Sequence, residues 1–407
     1  MRLRPWNESS GSQFKKKLMK LWEFFINYFY NKQQKSELTL TFKIHLPNKI
    51  FMCFYFFPFN VNKVFLSREG LLLGIGNPLL DISAIVDKDL LSKYNMKPDD
   101  AIMAGPQHQP LYPELIEKYN AEFIAGGSVQ NSLRVAQWFL EKPKVTTYFG
   151  CVGKDNYSAI LKERASADGV NVQYQVTDKQ ATGTCAVLIT GTQRSLCANL
   201  AAAQVFTENH LDIPSNQELI KQAKIIYTSG FFLAVSPPSI IRLAQHAHDN
   251  NYTMVMNLSA PFVSQFYKDP LMETMPYVDI LFGNETEMST FAQEMKWDEV
   301  SLKDIALKAC LLPKKNQKRA RIVIITQGRE PVLLACNGLV TEIPVIALPK
   351  EMIVDTNGAG DAFSGGFLAQ LVLGKPFEVC VKCGIYAASE IIKRSGCTFS
   401  GKPDFSS

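Results

Sequence analysis

Asp355-Thr-Asn-Gly-Ala-Gly-Asp361 is the most informative stretch of this chain of 407 residues. It follows an apolar pattern over residues 351–355, which predicts a strand, and it precedes small and apolar residues at helical spacing over residues 362–372. The first turn of a helix leaves backbone N–H groups without acceptors and carries the positive end of the helix dipole. The stretch therefore predicts an anion site, above all one for phosphate.

A carboxylate beside a phosphate site is unfavourable unless it has a role in the chemistry. Asp361 would repel a phosphate unless it takes a proton from the group that attacks that phosphate. The stretch therefore indicates a kinase that acts on a small hydroxyl compound, with Asp361 as the general base. Taken alone, Asp361 would be interpreted as a helix N-cap carboxylate, which is common at such a position.

Five further motifs occur upstream in a fixed order: Gly74-Ile-Gly-Asn-Pro-Leu-Leu-Asp-Ile82, Ala125-Gly-Gly-Ser-Val-Gln-Asn-Ser132, Thr182-Gly-Thr-Cys185, Asn257-Leu-Ser-Ala-Pro-Phe262 and Phe282-Gly-Asn-Glu-Thr-Glu287. With them, the chain resembles the ribokinase-like (PfkB) carbohydrate kinases over residues 68–405. The resemblance implies a monomer that transfers phosphate from ATP, with Mg²⁺, to the 5′-hydroxyl of adenosine. Another nucleoside or ribose kinase of this fold and a non-catalytic nucleoside-binding protein are the alternatives.

The basic excess of the chain is confined to its amino-terminal segment. The net charge is +5, but residues 1–67 hold 11 Lys and Arg against 3 Asp and Glu, and the remainder holds 32 against 35. The body is therefore mildly acidic, and we expect no nucleic-acid binding by it. An apolar content of 46% is ordinary for a soluble globular protein. We expect the protein in the cytoplasm.

Residues 1–67 fall outside the resemblance. Residues 50–57 are apolar but end at Pro58, far short of the roughly 20 residues of a membrane helix, so we expect no membrane span. Residues 18–30 have the pattern of an amphipathic helix. Three interpretations stay open: a targeting or membrane-surface segment, a disordered extension, and non-coding sequence translated from too early a start.

From residue 71 onward, short apolar strands alternate with amphipathic helices. The pattern predicts a helix over residues 129–139 and strands over residues 71–75, 145–149, 225–227, 253–257, 280–282 and 321–326. We therefore expect an α/β fold of the ribokinase-like type, with a mostly parallel central sheet covered by helices on both faces. Ligands in such folds lie beyond the carboxyl ends of the strands, where the prediction places Asn77, Asp81, Phe231, Asn284, Gln327 and Asp361.

Two stretches break the alternation, at about residues 79–129 and 179–202. The resemblance implies that they pair into a small β-rich lid domain, which closes over the nucleoside as part of a kinase domain spanning residues 68–407. The second stretch predicts strands over residues 182–190 and 195–198 around a turn at Gly191. Gly126 and Gly127 lie where the chain leaves the lid, and they suit either a closing hinge or a tight turn beside a ligand.

The resemblance also assigns the groups that handle the transferred phosphate. The N–H groups of Gly358, Ala359 and Gly360 are expected to hold its negative charge, and losing one such donor typically costs about 10²–10³ in rate. Arg194, on the lid, is expected to swing onto the phosphate when the lid closes. A surface turn arginine is the alternative for that position.

Magnesium and ATP are assigned to two neighbouring strand ends. Asn284 and Glu287 have the Asn-x-x-Glu spacing that the family uses to organise Mg²⁺, with Glu287 acting through water. An ordinary first-turn helix carboxylate is the alternative for Glu287. Thr326, Gln327 and Gly328 resemble the segment that lines the ATP side.

Asp81 is expected to clamp the ribose, because a carboxylate can accept hydrogen bonds from both the 2′- and the 3′-hydroxyl. Ala101 and Ile385 depart from residues that some members carry, so affinity and base specificity stay open. Apolar walls fit a flat heterocycle such as adenine. The resemblance places the other nucleoside contacts at Asn77, Leu79, Gly127, Ser128, Asn131, Leu196, Ala198, Phe231, Phe262 and Asn357.

Two remaining features are given structural interpretations. Cys380 and Cys383 form the one close cysteine pair, without a second pair at zinc spacing, and we interpret them as packing residues in a reducing compartment. The basic residues 313–321 resemble a nuclear signal, which would add the nucleus to the cytoplasm, but a solvated loop is the preferred interpretation.

Overall fold

The structure is a computed structural model that describes residues 42–46, 49–53, 69–98, 101–191, 193–298 and 301–406. It divides into two compact units, Met1–Val64 and Phe65–Ser407. In the first unit, strands β1 (Phe42–Leu46) and β2 (Lys49–Cys53) form an antiparallel pair. The helix predicted over residues 18–30 lies outside the described residues.

The strands of the second unit are, in chain order, β3 (Leu72–Ile75), β4 (Leu79–Ile85), β5 (Ala101–Met103), β6 (Glu122–Gly126), β7 (Thr146–Gly153), β8 (Asn171–Thr177), β9 (Thr184–Thr190), β10 (Gln193–Asn199), β11 (Ile225–Ser229), β12 (Thr253–Asn257), β13 (Ile280–Asn284), β14 (Ile322–Gln327), β15 (Glu330–Cys336) and β16 (Leu339–Ile343).

Its helices are α1 (Lys88–Lys93), α2 (Leu111–Lys118), α3 (Ser128–Leu140), α4 (Asn156–Ala167), α5 (Pro214–Gln222), α6 (Pro237–Asp249), α7 (Pro261–Phe266), α8 (Lys268–Thr274), α9 (Glu285–Glu294), α10 (Leu302–Cys310), α11 (Ala359–Val372) and α12 (Phe377–Ile391). None of the helices in the described part of the chain is long and apolar enough to cross a membrane.

A large sheet of nine strands has the order β16-β15-β14-β13-β12-β11-β3-β7-β8. The strands from β14 to β8 in this order are parallel, and β15 and β16 add an antiparallel edge. Helices α3, α11 and α12 cover the face that carries Tyr148 and Tyr227, and helices α6, α9 and α10 cover the face that carries Phe149 and Ile226. Both cores arise because successive side chains of a strand point to opposite faces. The predicted fold class is confirmed.

A second sheet of five strands has the order β5-β10-β9-β4-β6, and it is built from both stretches that break the strand–helix alternation. Strands β9 and β10 are antiparallel neighbours on either side of the predicted turn at Gly191. One face of this sheet packs on α1 and α2 through Ile82, Leu188 and Cys197. The other face is left to the site described below.

The strand predicted over residues 351–355 is wrong. Lys350–Met352 form a 3₁₀ turn, and residues 353–356 have no regular structure. The N–H groups of Val354 and Asp355 both donate to the carbonyl of Ile392, at 2.8 and 3.1 Å, instead of to a neighbouring strand. The segment before helix α11 is therefore held by the end of helix α12.

The basic segment over residues 313–321 is more than a solvated loop. Lys314 and Arg319 form ion pairs with buried Asp279, at 2.7 and 2.9 Å. Arg321 is fully buried and donates to backbone carbonyls, including those of Met275 and Leu312 at 2.7 and 2.8 Å. These side chains satisfy buried acceptors, so the expectation of a solvated loop is wrong for them.

Candidate active site

The anion turn, residues 355–361, opens helix α11. Gly358 is the N-cap of this helix with a φ of +78°, a left-handed conformation that favours glycine. A Cβ atom at this position would lie 3.2 Å from the Cβ of Cys397. Gly360, in contrast, faces open space, because a Cβ there would meet no atom within 4 Å. The turn thus presents bare backbone to a cleft.

The free amides of the turn differ slightly from the predicted set. Within the described residues, the N–H groups of Gly358, Gly360 and Asp361 have no hydrogen-bond acceptor. The N–H of Ala359, which was expected to join them, donates to the carbonyl of Thr356 at 3.3 Å. Three amides and the positive end of the α11 dipole remain for an anion.

Asp355 stabilises the conformation of the anion turn. Its buried carboxylate accepts the N–H groups of Asn357 and Gly396, both at 2.8 Å. It also forms an ion pair with Arg194, whose Nε lies 3.1 Å from Oδ1. Sequence reasoning missed this role, although an aspartate in a turn often accepts the backbone N–H two residues on, as in an Asx turn.

Arg194 occupies β10 of the second sheet and is buried rather than exposed on a turn. Besides its ion pair with Asp355, it donates to the carbonyl of Val354 at 3.1 Å. The alternative of a surface arginine is therefore wrong. The side chain already joins the second sheet to the anion turn, and its predicted movement onto a phosphate stays a prediction.

Asp361 lies half-buried at the first turn of α11, and in the described structure it forms no ion pair. It accepts hydrogen bonds from Ser128 Oγ at 2.7 Å and from Asn131 Nδ2 at 3.1 Å. Burial raises the pKa of Asp361 to about 6, and these two hydrogen bonds oppose the rise. The carboxylate is thus ionised at neutral pH yet close enough to its pKa to accept a proton.

The glycine pair before helix α3 allows two close approaches. Gly127 has a φ of +92°, and a Cβ there would lie 2.3 Å from the carbonyl oxygen of Asn77. At Gly126, a Cβ would lie 2.2 Å from Oδ1 of Asp81. The pair therefore brings β4 and the start of α3 together; the hinge role stays a prediction. Asn77 itself donates to the carbonyl of Phe231 at 3.4 Å.

The sequence predicted that Asp81 follows the strand over residues 71–75 directly. In the structure Asp81 instead lies within the next strand, β4. The chain turns from one sheet into the other at residues 76–78, which places Asp81 on the second sheet. Burial and the negative charge of Asp361 raise the pKa of Asp81 to about 8. The structure thus brings the two predicted carboxylates within electrostatic range of each other.

The predicted apolar contacts form two walls. Strand alternation places Leu79 on the same face of β4 as Asp81, opposite the face packed on α1 and α2. Leu196 and Ala198 share the corresponding face of β10, and both are half-buried. On the side of the large sheet, the rings of Phe231 and Phe262 lie 5.8 Å apart with an interplanar angle of 34°.

Asn284 and Glu287 form a capping box at the start of helix α9. Asn284 Oδ1 accepts the N–H of Glu287 at 2.8 Å, and Glu287 Oε2 accepts the N–H of Asn284 at 3.1 Å. Burial raises the pKa of Glu287 to about 7, and the charge of Asp361 adds to this rise. Glu287 therefore caps helix α9 as a first-turn carboxylate, and its magnesium role stays a prediction.

The donor set at Glu287 decides how a magnesium ion could be held. The described part of the chain contains no group of three or more His, Cys, Asp or Glu able to enclose a metal, and Glu287 has no cationic partner there. A single buried carboxylate fits an ion whose other ligands are phosphate oxygens and waters. Cys380 and Cys383 are buried in α12 as packing residues.

The residues expected at ATP lie at the neighbouring strand end. Thr326 pairs with Asn284 across β14 and β13, which brings this end next to the capping box. Gln327 ends β14 and donates to the carbonyl of Pro331 at 2.5 Å. Gly328 follows in a left-handed turn with a φ of +57°. The carboxyl edge of the sheet thus gathers these positions as predicted.

Comparison with known proteins agrees with this arrangement. Residues 92–404 match the model of the pfkB family carbohydrate kinases. The chain belongs to this pfkB family. Among curated members, adenosine kinase 2 of Arabidopsis thaliana is 51% identical over 337 residues, which cover 83% of this chain and 98% of that protein.

Solved structures of pfkB relatives are also similar. Adenosine kinase of Anopheles gambiae, in complex with P1,P4-di(adenosine-5) tetraphosphate, is 58% identical with a TM-score of 0.80, covering 83% of this chain and all of that one. Adenosine kinase of Schistosoma mansoni, in complex with adenosine and AMP, is 33% identical with a TM-score of 0.78 at the same coverage.

Proposed function

We propose that this pfkB kinase transfers the γ-phosphoryl group of ATP to the 5′-hydroxyl of adenosine, giving AMP and ADP. One observation carries the proposal: the half-buried carboxylate of Asp361 lies beside three unpaired amides at a helix start, with no cation to neutralise it in the described structure. A carboxylate in that place suits a base that acts on a phosphate acceptor.

Asp361 takes the proton of the 5′-hydroxyl while the hydroxyl oxygen attacks the γ-phosphorus of ATP. Ser128 and Asn131 hold the two carboxylate oxygens at 2.7 and 3.1 Å, so the base is oriented before substrate arrives. The proton leaves the hydroxyl for Asp361, the new P–O bond forms on the nucleoside, and the bond to ADP breaks with its electron pair on the leaving oxygen.

The amides of Gly358, Gly360 and Asp361 stabilise the charge on the transferred group. The turn that carries these amides is held by Asp355 through Asn357 and Gly396, so the amides are in place before that charge develops. Arg194 is tied to the same turn through Asp355, and closing of the second sheet over the substrates would bring its guanidinium toward the phosphate. This closing also excludes water and so prevents wasteful ATP hydrolysis.

Glu287 would hold Mg²⁺ through water at the phosphates of ATP, and that ion, when bound, would neutralise charge on the β- and γ-phosphates. Asn284 keeps Glu287 in place through the capping box. Thr326, Gln327 and Gly328 lie at the adjoining strand end, where the ATP phosphates would lie.

The nucleoside would lie between the two sheets. Asp81 faces this space from β4, and a carboxyl group can hydrogen-bond both ribose hydroxyls. Adenine would pack between the half-buried Leu196 and Ala198 on one side and the rings of Phe231 and Phe262 on the other.

A substrate panel tests this function. ADP release is coupled to a spectroscopic assay with adenosine, inosine, guanosine and ribose as acceptors, and AMP is identified by chromatography. We expect adenosine to have the highest kcat/KM. A preference for ribose would reassign the protein to another kinase of the family, and adenosine binding without any AMP would make it a binding protein.

A further inference from the structure

Arg134 is a buried arginine that the mechanism above does not use. It lies on helix α3, one turn after Asn131, and the residue is 6% exposed. Its Nε lies 2.6 Å from Oδ2 of Asp168, and its guanidinium lies 5.6 Å from the ring centre of Phe399. A buried cation needs such partners, because an unpaired charge inside a protein is costly.

The Nη1 atom of Arg134 reaches toward the site. It donates to Asn131 Oδ1 at 3.3 Å, to the carbonyl of Ala125 at 3.0 Å and to the carbonyl of Cys397 at 3.2 Å. Ala125 directly precedes the glycine pair that leads from the second sheet into α3. One nitrogen atom thus joins three segments that border the site.

The contact with Asn131 has a chemical consequence. A carboxamide has an acceptor oxygen on one side and a donor nitrogen on the other, and rotation by half a turn exchanges them. Because a guanidinium can only donate, Arg134 selects the orientation in which Oδ1 faces it and Nδ2 faces Asp361, at 3.1 Å.

This selection matters most after the proton has moved. An ionised Asp361 accepts hydrogen bonds only, so by itself it favours the same orientation of Asn131. Once Asp361 is protonated, its carboxyl is both donor and acceptor, and that preference weakens. Arg134 stays a donor in both states and keeps the carboxamide unchanged through the reaction.

The contact with Cys397 extends the same support to the anion turn. Gly396, next to Cys397, donates to Asp355, and Cys397 itself lies against Gly358. The guanidinium thus also braces the segment on which the anion turn rests.

We propose that Arg134 is a positioning residue for phosphoryl transfer, which acts on the base Asp361 through the carboxamide of Asn131. The inference rests on the proposed function, because it takes Asp361 as the base. It does not require Arg134 to touch a substrate, since its hydrogen bonds and its ion pair with Asp168 are all made to the protein itself.

A double-mutant cycle tests the proposal. Arg134→Met should lower kcat roughly tenfold to a hundredfold, the range expected when catalytic groups are misplaced, while the dissociation constant of adenosine changes by less than about threefold. In an Asn131→Ala background, the same substitution should add less than about a twofold loss, because the two act as one unit. Losses that multiply would overturn the proposal.

Two controls separate positioning from simple structural damage. Arg242→Met makes the same substitution at an exposed ion pair with Asp212, and it should leave kcat unchanged. Asp168→Asn removes the charge that pairs with Arg134 but leaves the hydrogen bond from Arg134 to Asn131. It should therefore lower the melting temperature while kcat stays close to the wild-type value. If Arg134→Met does not fold, Arg134→Lys enters the same cycle, because lysine keeps the charge but cannot reach all four acceptors at once.

A readout independent of turnover completes the test. The side-chain NH₂ signals of Asn131, assigned by their loss in Asn131→Ala, should titrate with Asp361 near pH 6 in the wild type. In Arg134→Lys the titration should shrink or broaden, and an unchanged curve would refute the positioning role. Wild-type protein that titrates normally but forms no AMP would instead refute the proposed function alone.

Discussion

At the scale of single residues, the site is governed by two carboxylates with different pKa values. Burial raises the pKa of Asp361 to about 6 and, together with the charge of Asp361, that of Asp81 to about 8. At neutral pH in the absence of ligands, Asp361 is mostly ionised and Asp81 is mostly protonated. Such a separation gives two equal chemical groups different roles, with the base at Asp361 and a hydrogen-bonding carboxyl at Asp81.

Asp361→Asn tests the base directly. The amide keeps the size of the side chain but cannot take a proton, so turnover should fall at least about a thousandfold while adenosine binds within a few-fold of the wild type. Stopped assays with product detection and calorimetric binding measure the two quantities. Asp298→Asn, at an exposed aspartate, is the matched control, and a mutant that keeps a tenth of normal activity contradicts the assignment.

Asp81 should make the protein less stable as the pH rises. Its pKa in the folded protein, about 8, lies above the ordinary value of 3.8, so the folded state binds more protons than the unfolded state between these values. The free energy of unfolding therefore falls across this window. Asp81→Asn should raise the melting temperature at pH 8 more than at pH 5, while it weakens adenosine binding. Thermal scans of both proteins at pH 5 and pH 8 measure this. An equal change in melting temperature at the two pH values would refute the link between the Asp81 pKa and stability.

At the scale of elements, two helix starts share the work on the phosphates: α11 supplies bare amides, and α9 supplies a carboxylate held by a capping box. Glu287→Gln separates charge from capping, because glutamine can still accept the N–H of Asn284. We expect a melting temperature within about 2 °C of the wild type and roughly a tenfold higher Mg²⁺ concentration for half-maximal rate. An unchanged Mg²⁺ dependence would leave Glu287 with the capping role alone.

Two glycines of helix α11 should respond in opposite ways to alanine. At Gly360 the added methyl meets no protein atom within 4 Å, so the fold should tolerate it, but the methyl enters the space for the phosphate and should lower kcat/KM more than about tenfold. At Gly365 the methyl would lie 2.5 Å from the carbonyl of Ser132, and overpacking there should cost about 1–3 kcal/mol of stability. Melting curves and kinetics of both variants test the contrast.

At the scale of the whole molecule, the kinase unit is expected to be self-sufficient. Contacts within Phe65–Ser407 define one compact unit, and relatives cover 83% of the chain at full or nearly full length of their own. A protein that starts at Arg68 should therefore keep its melting temperature and its kcat. Side-by-side expression, thermal scans and assays of both forms measure this. Loss of folding in the shorter form would show that the preceding residues belong to the kinase.

Sequence reasoning was most successful where local pattern and tertiary fold agree. The strands over 253–257 and 280–282 and the helix over 129–139 are confirmed, because buried parallel strands and packed helices carry their own apolar signatures. The segment over 351–355 has the same apolar signature but lies at the end of helix α12, where the carbonyl of Ile392 satisfies its backbone. A backbone partner of this kind leaves no trace in local composition.

The amino-acid sequence alone determined the family, the alternation of strands and helices, and the identity of Asp361 and its glycines. Strands and helices have local apolar patterns, and a glycine turn followed by a carboxylate is a short motif that can be read without the fold. Only the tertiary structure decided the contacts that cross the chain: Asp355 with Arg194, Asp361 with Ser128 and Asn131, and Arg134 with Cys397. Partners separated by up to 263 residues meet only after the sheets have packed. Burial then sets the pKa of each carboxylate, and burial is a property of the packed molecule, not of any short stretch of it.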